Sequence, residues 1–226
     1  CKFDCWDCNY CDLIYKKKSN YYTSKLVNHV VDCISESGII KYVNDIPGLT
    51  SSKVKSLLSE IAKGCNSYLE VGSFIGATTT AILESDIQQV YCVDMWEEQI
   101  QAKRDDIKLP NNSLDTFIDN VKKHKKNSKV NFFKCDMLSV DLREIEEIDF
   151  FFYDGPHEKY LTKNAVEYYS PKFKKECVLV FDDANWNNVI EGAKEGISSS
   201  GLNLIYDKMI LNSEEDPDQY WNGLYI

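Results

Sequence analysis

The sequence contains no long apolar run, since none of its hydrophobic stretches approaches the roughly 20 residues that a membrane span requires. It is also short of positive charge: 26 Lys and Arg residues stand against 36 Asp and Glu residues, for a formal net charge of −10. This balance argues against a nucleic-acid polymer as the partner. We therefore expect the protein to bind neither a membrane nor a nucleic acid. Two basic runs, Lys16–Lys18 and Lys122–Lys126, depart from the average, and each is interpreted as a solvated linker or helix face.

The sequence also lacks the two common glycine motifs that bind phosphate. Neither the G-x-G-x-x-G fingerprint of dinucleotide-binding folds nor the Gly-Lys-Ser/Thr ending of a P-loop is present. The chain instead has Glu70-x-Gly72-x-x-x-Gly76, which follows a short apolar strand at Ser67–Val71 and leads into a helix. Because glycine has no Cβ, a ligand can approach the backbone of such a turn closely, and the helix behind it offers free N–H groups.

Nine cysteines are distributed unevenly along the chain. Four of them fall within the first eleven residues, at Cys1, Cys5, Cys8 and Cys11. Because so short and polar a segment has no core of its own, these thiolates could bind one Zn²⁺ or supply ligands to an iron–sulfur cluster. Their spacing matches neither the usual zinc ribbon nor a ferredoxin run, and a frayed cysteine-rich tail is the alternative. The other five cysteines are scattered singly, which suits a reducing compartment and predicts a cytoplasmic protein.

At 226 residues the chain is long enough for one domain with a sizeable core. We divide it into three parts: a cysteine-rich tail and linker at residues 1–20, two N-terminal helices within residues 21–66, and a main domain at residues 67–226. Both N-terminal helices are predicted from apolar residues that recur at helical spacing. The second of them leads the chain to the strand that precedes the glycine turn.

Four further apolar strands follow the glycine turn, and an acidic residue stands at or just beyond the end of each. The strands are Gln89–Asp94, Val130–Lys134, Ile148–Tyr153 and Cys177–Phe181, and the acids are Asp94, Asp136, Asp154 and the pair Asp182 and Asp183. In a parallel sheet the carboxyl ends of the strands share one edge, where ligands bind. Crowding Asp154, Asp182 and Asp183 at that edge without a counter-charge is unfavourable, so we expect a hard cation with oxygen ligands there.

The order of these features resembles that of the class I S-adenosylmethionine (SAM)-dependent methyltransferases, especially the metal-assisted O-methyltransferases that act on sugars and catechols. The resemblance runs from about Leu49 to the C-terminus and rests on Glu70-x-Gly72, the acids after the strands, Asp154-Gly155-Pro156-His157 and Phe181-Asp182-Asp183. It implies an α/β, Rossmann-like fold with a seven-stranded, mostly parallel sheet and helices on both faces. The sixth strand is expected at Leu202–Asp207, and a last, antiparallel strand at Gln219–Ile226 is expected between strands five and six.

The resemblance also implies a cofactor site and a metal site. SAM would lie at the glycine turn and the neighbouring strand ends, with Asp94 accepting hydrogen bonds from the ribose hydroxyls and Asp136 beside the adenine ring. Met137 either packs on that ring or is an ordinary core residue. By the same likeness Asp154, Asp182 and Asp183 would hold Mg²⁺. The residues predicted to contact the cofactor are Glu70, Gly72, Ser73, Phe74, Gly76, Asp94, Met95, Asp136, Met137 and Asp154.

The proton acceptor is not settled by the resemblance, because the sequence departs from its relatives after the fourth strand. Catechol-type enzymes have a catalytic Lys three residues after the first metal ligand, and sugar-modifying relatives often have an Asp two residues after it. This chain has His157 and Pro156 at those positions. A histidine has a suitable pKa for general-base catalysis, so His157 is predicted to be catalytic together with Asp154. A histidine that only shapes the pocket is the alternative, and Trp186 would either wall the acceptor pocket or be a core aromatic.

Together these features predict methyl transfer from SAM to a hydroxyl group of a small molecule, such as a sugar or another acceptor with two adjacent oxygens, assisted by a divalent metal. Methylation of a nucleic-acid base is disfavoured, because the Asn/Asp-Pro-Pro-aromatic motif of those enzymes is missing after the fourth strand. Two alternatives are a metal-free small-molecule methyltransferase and a non-catalytic SAM-binding or partner domain. The acceptor pocket is expected in loops around residues 95–112 and 208–218, and assembly into a homo-oligomer is left open.

Overall fold

The computed structural model describes residues 24–36, 44–97, 112–212 and 219–226. The predicted cysteine site at Cys1, Cys5, Cys8 and Cys11 lies outside these ranges, as do most residues of the two predicted acceptor loops. The two predicted N-terminal helices and the whole run of strand ends after the glycine turn lie inside them.

Six α-helices and seven β-strands are found within the described ranges. The helices are α1 (Lys25–Ser35), α2 (Ser52–Ala62), α3 (Ala77–Leu83), α4 (Ser113–His124), α5 (Lys159–Tyr169) and α6 (Asn187–Ser199). The strands are β1 (Ser67–Val71), β2 (Gln89–Asp94), β3 (Lys129–Lys134), β4 (Ile148–Tyr153), β5 (Phe173–Phe181), β6 (Met209–Ile210) and β7 (Leu224–Tyr225). None of the helices in these ranges has both the length and the apolar character needed to cross a membrane.

The seven strands form one sheet in the order β3-β2-β1-β4-β5-β7-β6. Strands β1 to β5 run parallel to one another, whereas β7 lies antiparallel between β5 and β6. The predicted sheet and its antiparallel last strand are therefore confirmed. The strand order changes direction between β1 and β4, and in open α/β sheets such a switch point is where ligands bind.

Helices cover both faces of the sheet, as predicted, because the central strands are apolar on both sides. On β4, Phe150 and Phe152 belong to a core formed with helices α1 to α4, whereas Phe151 and Tyr153 belong to a second core formed with α5 and α6. Successive side chains of a strand point to opposite faces. A continuous apolar run such as β4 therefore requires a helical layer on each side.

The predicted sixth strand is misplaced. Residues Leu202–Asp207 form no strand, and β6 begins after them. The side chains of Leu204 and Ile205 are 55% and 54% exposed, whereas Leu202 and Tyr206 pack against the cores on the two faces of the sheet. Pairing begins only at Lys208, whose backbone exchanges hydrogen bonds of 2.8 and 2.9 Å with that of Ile226.

Candidate active site

The turn after β1 brings the chain closer to the loop after β4 than a side chain would allow. Gly72 has a φ of +90°, and a Cβ built on it would lie 1.9 Å from the backbone oxygen of Asp154. The N–H of Gly72 donates to the backbone oxygen of Val93 at 2.9 Å. Gly76 has a φ of +84° and starts α3 in the left-handed conformation. Residues with a Cβ adopt that conformation only at a cost in free energy, so the backbone of this turn favours glycine at both positions.

Glu70 points away from the open side of the turn. Its side chain is completely buried, and its carboxylate accepts hydrogen bonds from the hydroxyls of Thr78 and Thr79 in α3. Burial raises the pKa of Glu70 to about 7, although these hydrogen bonds lower it. We infer that Glu70 holds α3 against β1 through these two hydrogen bonds. Of the predicted cofactor contacts, Glu70 and Gly76 do not line the cavity that lies beside the turn.

Asp94 ends β2 with its carboxylate at the edge of the sheet. Its Oδ2 accepts the backbone N–H of Phe74 at 2.8 Å, and its Oδ1 accepts that of Trp96 at 2.7 Å. The indole N–H of Trp96 donates in turn to the backbone oxygen of Phe74 at 2.6 Å. The glycine turn and the end of β2 are thereby held together. Each carboxylate oxygen has a second lone pair, so Asp94 can accept further hydrogen bonds from a ligand.

A cavity of about 420 Å³ lies between the glycine turn and the ends of the central strands. Its volume is within the range of roughly 300–1,000 Å³ that is usual for small-molecule sites. Met137 is only 8% exposed and also forms part of the wall; packing of its side chain on an adenine ring stays a prediction. The predicted cofactor contacts that line the cavity are Gly72, Ser73, Phe74, Asp94, Met95, Asp136, Met137 and Asp154.

One wall of the cavity comes from a segment that the sequence analysis did not single out. Residues 48–50 line the cavity just before α2. The chain leading to them is held by Lys55 of α2, whose Nζ donates to the backbone oxygens of Asn44 and Ile46 at 3.0 and 3.3 Å. Burial lowers the pKa of Lys55, which is only 6% exposed. No local pattern indicated this contact, because Lys55 is not among the apolar positions that predicted the helix. A buried ammonium group needs several acceptors, and here they come from Asn44 and Ile46.

His157 lies next to the cavity wall, directly after Pro156, and is bonded to Asp183. The two atoms involved, His157 Nε2 and Asp183 Oδ2, are 2.7 Å apart. This hydrogen bond raises the pKa of His157 above 6.5, against the opposing effect of burial. The ring of Trp186 packs edge-on against the imidazole, with centroids 4.1 Å apart, and its 49% exposure shows that it is not a core aromatic. With Nε2 bonded, Nδ1 is the nitrogen that can exchange a proton with a ligand.

The three carboxylates predicted to hold Mg²⁺ lie on the loops after β4 and β5. Burial, and then the charges of Asp182 and Asp183, raise the pKa of Asp154 well above its usual range. Burial and the charge of Asp183 do the same to the pKa of Asp182, whose Oδ1 has no hydrogen-bond partner among the described residues. Such oxygen donors suit a hard cation.

Although carboxylate oxygens suit a hard cation, these three side chains are not arranged to coordinate one. Within the part of the chain that the structure describes, no three His, Cys, Asp or Glu side chains are placed to coordinate a metal ion. Asp183 in particular has one oxygen bonded to His157 and the other to the side-chain amide of Asn222. The magnesium site at Asp154, Asp182 and Asp183 therefore stays a prediction.

Comparison with known proteins agrees with the fold. A family model described as a methyltransferase domain matches residues 69–184, just over half of the chain. No curated protein sequence matches the chain.

Two solved structures illustrate the likeness of fold. The O-methyltransferase TomG from Streptomyces achromogenes, in complex with SAM, has a TM-score of 0.56 at 13% identity, covering 96% of this chain and 94% of that chain. An O-methyltransferase from Bacillus cereus, in complex with S-adenosylhomocysteine (SAH), has a TM-score of 0.53 at 14% identity, covering 94% and 95%. At sequence identities this low, the comparison shows a similar fold only. The family model, together with this fold, shows that the chain belongs to the methyltransferase domain family and has the Rossmann-like architecture of the class I methyltransferases.

Proposed function

We propose that this protein transfers a methyl group from SAM to a hydroxyl group of a small molecule. The observation that carries the proposal is the position of Asp94, whose carboxylate lies at the wall of a cavity formed by the glycine turn. Its free lone pairs suit the two hydroxyls of a ribose. The presence of SAM and SAH in the TomG and Bacillus cereus structures supports the same ligand for this fold.

SAM supplies a methyl group that its sulfonium already activates, so the protein has mainly to orient the reactants about 3 Å apart and to exclude water. In this proposal Asp94 accepts hydrogen bonds from the ribose, and Met137 packs against the adenine. Gly72 lines the same cavity and lets the turn lie close to the loop after β4, because a Cβ at this position would collide with the backbone oxygen of Asp154. These three residues bind and orient the cofactor without taking part in the bond changes.

His157 is the proposed proton acceptor. When the methyl group passes from sulfur to the acceptor oxygen, the S–C bond breaks, an O–C bond forms, and the hydroxyl proton must leave. Nδ1 of His157 takes this proton, because Nε2 is bonded to Asp183. A positioned base contributes roughly 10²- to 10⁴-fold to such a step. Asp154 lines the cavity between the turn and His157, where its carboxyl group would contact the acceptor.

The proposed acceptor carries two adjacent oxygens on a ring, as in a sugar or a catechol. Asp154 and His157 are separated by two residues of one loop and offer two polar groups to such a pair of oxygens. Trp186 presents a half-exposed aromatic surface beside His157, and such surfaces pack well against the flat face of a ring.

Replacing Asp94 with alanine tests the proposal directly. We expect the Kd for SAH to rise by about 100-fold, because two hydrogen bonds to a charged group contribute about 3 kcal/mol or more. Isothermal titration of the purified protein with SAH measures the change. Asp86→Ala, at an exposed aspartate away from the cavity, is the matched control and should bind like the wild type. If the wild-type protein binds neither SAM nor SAH, the proposed function is wrong and a partner domain without cofactor is favoured instead.

The predicted magnesium site has a separate test that does not depend on activity. If Mg²⁺ binds the carboxylates of Asp154, Asp182 and Asp183, it stabilises the folded protein by about 2.7 kcal/mol at a concentration 100 times the Kd. For a domain of this size we expect the melting temperature to rise by several degrees, at about 2–4 °C per kcal/mol. EDTA should reverse the rise, and Asp182→Asn should abolish it. An unchanged melting temperature in millimolar Mg²⁺ would contradict the metal prediction alone.

A further inference from the structure

We propose that Asn222, from the C-terminal segment, is a positioning residue for the proton acceptor His157 and acts through Asp183. The inference rests on the proposed function, since it concerns the residue that would take the acceptor's proton. It adds a residue from the far end of the chain to a site otherwise built from the loops after β4 and β5.

The three side chains form a continuous series of hydrogen bonds. The amide Nδ2 of Asn222 donates to Oδ1 of Asp183 at 2.7 Å, and Oδ2 of Asp183 is 2.7 Å from Nε2 of His157. Asp183 is only 8% exposed, so water does not compete freely for its oxygens. Because each oxygen of Asp183 has a different partner, rotation of its carboxylate would break both contacts.

The backbone of Asp183 is itself in an uncommon conformation. Its φ of +55° lies in the left-handed region, which non-glycine residues seldom adopt and which costs roughly 1–2 kcal/mol. The C-terminal segment holds the loop in this shape: Ala184 N–H donates to the backbone oxygen of Gly223 at 3.1 Å, and Asn185 N–H to that of Asn222 at 2.8 Å. The segment therefore supports both the backbone of the loop and the side chain of Asp183.

The consequence for His157 is a defined tautomer and ring direction. A hydrogen bond from Nε2–H to Asp183 keeps the proton on Nε2 and leaves the lone pair of Nδ1 free. Trp186 packs edge-on against the same ring and limits its rotation from the other side. Removing the Asn222 amide would free Asp183 to turn, and the single proton of the neutral His157 ring would then be found on either nitrogen.

Asn222→Ala and Asn222→Leu, which is close to asparagine in size, test this inference, because both lack the donating amide and add no charge. Tyr225→Phe is the matched control, because the Tyr225 hydroxyl in the same C-terminal segment donates to Oδ2 of Asp207 at 3.4 Å and is not bonded to Asp183. Two readouts are needed. The first is the tautomer of His157 by long-range ¹H–¹⁵N correlation NMR of the full chain, which requires no acceptor. The second is SAH release from SAM with catechol and methyl glycosides as acceptors.

We expect both Asn222 variants to show a mixture of His157 tautomers and about a tenfold lower kcat, the size expected for one hydrogen bond to a charged group. The KM for the acceptor and the Kd for SAH should stay at wild-type values, and Tyr225→Phe should match the wild type in all four. A wild-type tautomer and kcat in folded Asn222→Leu would overturn the inference. Full activity in His157→Ala would instead overturn the proposed role of His157, so the two failures are distinguishable.

Discussion

Replacing Gly72 with alanine is expected to abolish SAH binding and to lower the free energy of unfolding by about 3 kcal/mol or more. Two costs combine at this position. A Cβ would lie 1.9 Å from the backbone oxygen of Asp154, and overpacking of this kind costs roughly 1–3 kcal/mol. The left-handed φ of +90° adds roughly 1–2 kcal/mol for any residue with a Cβ. Urea denaturation and SAH titration measure the two effects.

The variant Gly201→Ala separates the cost of the left-handed φ from the cost of the close contact with Asp154. Gly201 also has a left-handed φ, of +68°, but no described atom lies within 4 Å of the Cβ that would be added. This variant should lose only about 1 kcal/mol, and its affinity for SAH should be unchanged. Equal losses of stability in the two variants would show that the close approach of Gly72 to Asp154 adds nothing to the effect of Gly72→Ala.

Replacing His157 with alanine is expected to lower kcat by roughly 10²- to 10⁴-fold, which is the usual contribution of a positioned general base. The Kd for SAH should not change, because His157 does not line the cavity formed by the described residues. The measurement is SAH release from SAM with the catechol or glycoside that the wild-type protein methylates fastest. His124→Ala, at a partly exposed histidine bonded to Glu84, is the matched control and should keep the wild-type rate.

The pH dependence of the same rate gives a second check on His157. A general base must be neutral, so kcat should rise with pH through the pKa of His157 and then level off. The hydrogen bond to Asp183 raises that pKa, which places the midpoint above 6.5. Asp183→Asn removes the charge and should shift the midpoint toward lower pH. A rate that falls as pH rises through this range would contradict the assignment of His157 as the base.

Much of the sheet could be predicted from the sequence because its central strands are continuous apolar runs. Such runs are typical of strands covered on both faces, and β1, β2 and β4 were found where they were expected. The sixth strand was misplaced because Leu204 and Ile205 are apolar but exposed, which no local pattern reveals. Short edge strands such as β6 depend on the partner that they pair with, here the C-terminal residues of the chain.

Part of the site could also be predicted, because parallel strands place their carboxyl ends at one edge. This rule was enough to bring Asp94, Asp136 and Asp154 to the same cavity as Gly72. It could not predict the direction of the Glu70 side chain. Glu70 belongs to the same motif as Gly72, but its carboxylate is hydrogen-bonded to Thr78 and Thr79 inside the protein. The direction of a side chain depends on which neighbours satisfy it, and those neighbours lie on another element.

The sequence by itself therefore determined the type of sheet, the glycine turn and the acids at the strand ends, since all three follow from local pattern and strand direction. Only the tertiary structure decided how the acids are used. Asp183 and Asn222 are 39 positions apart, and no periodicity or motif connects them. Hydrogen bonds between such distant residues form because packing brings their elements together, and this packing joins Asp183 to His157 and Asn222.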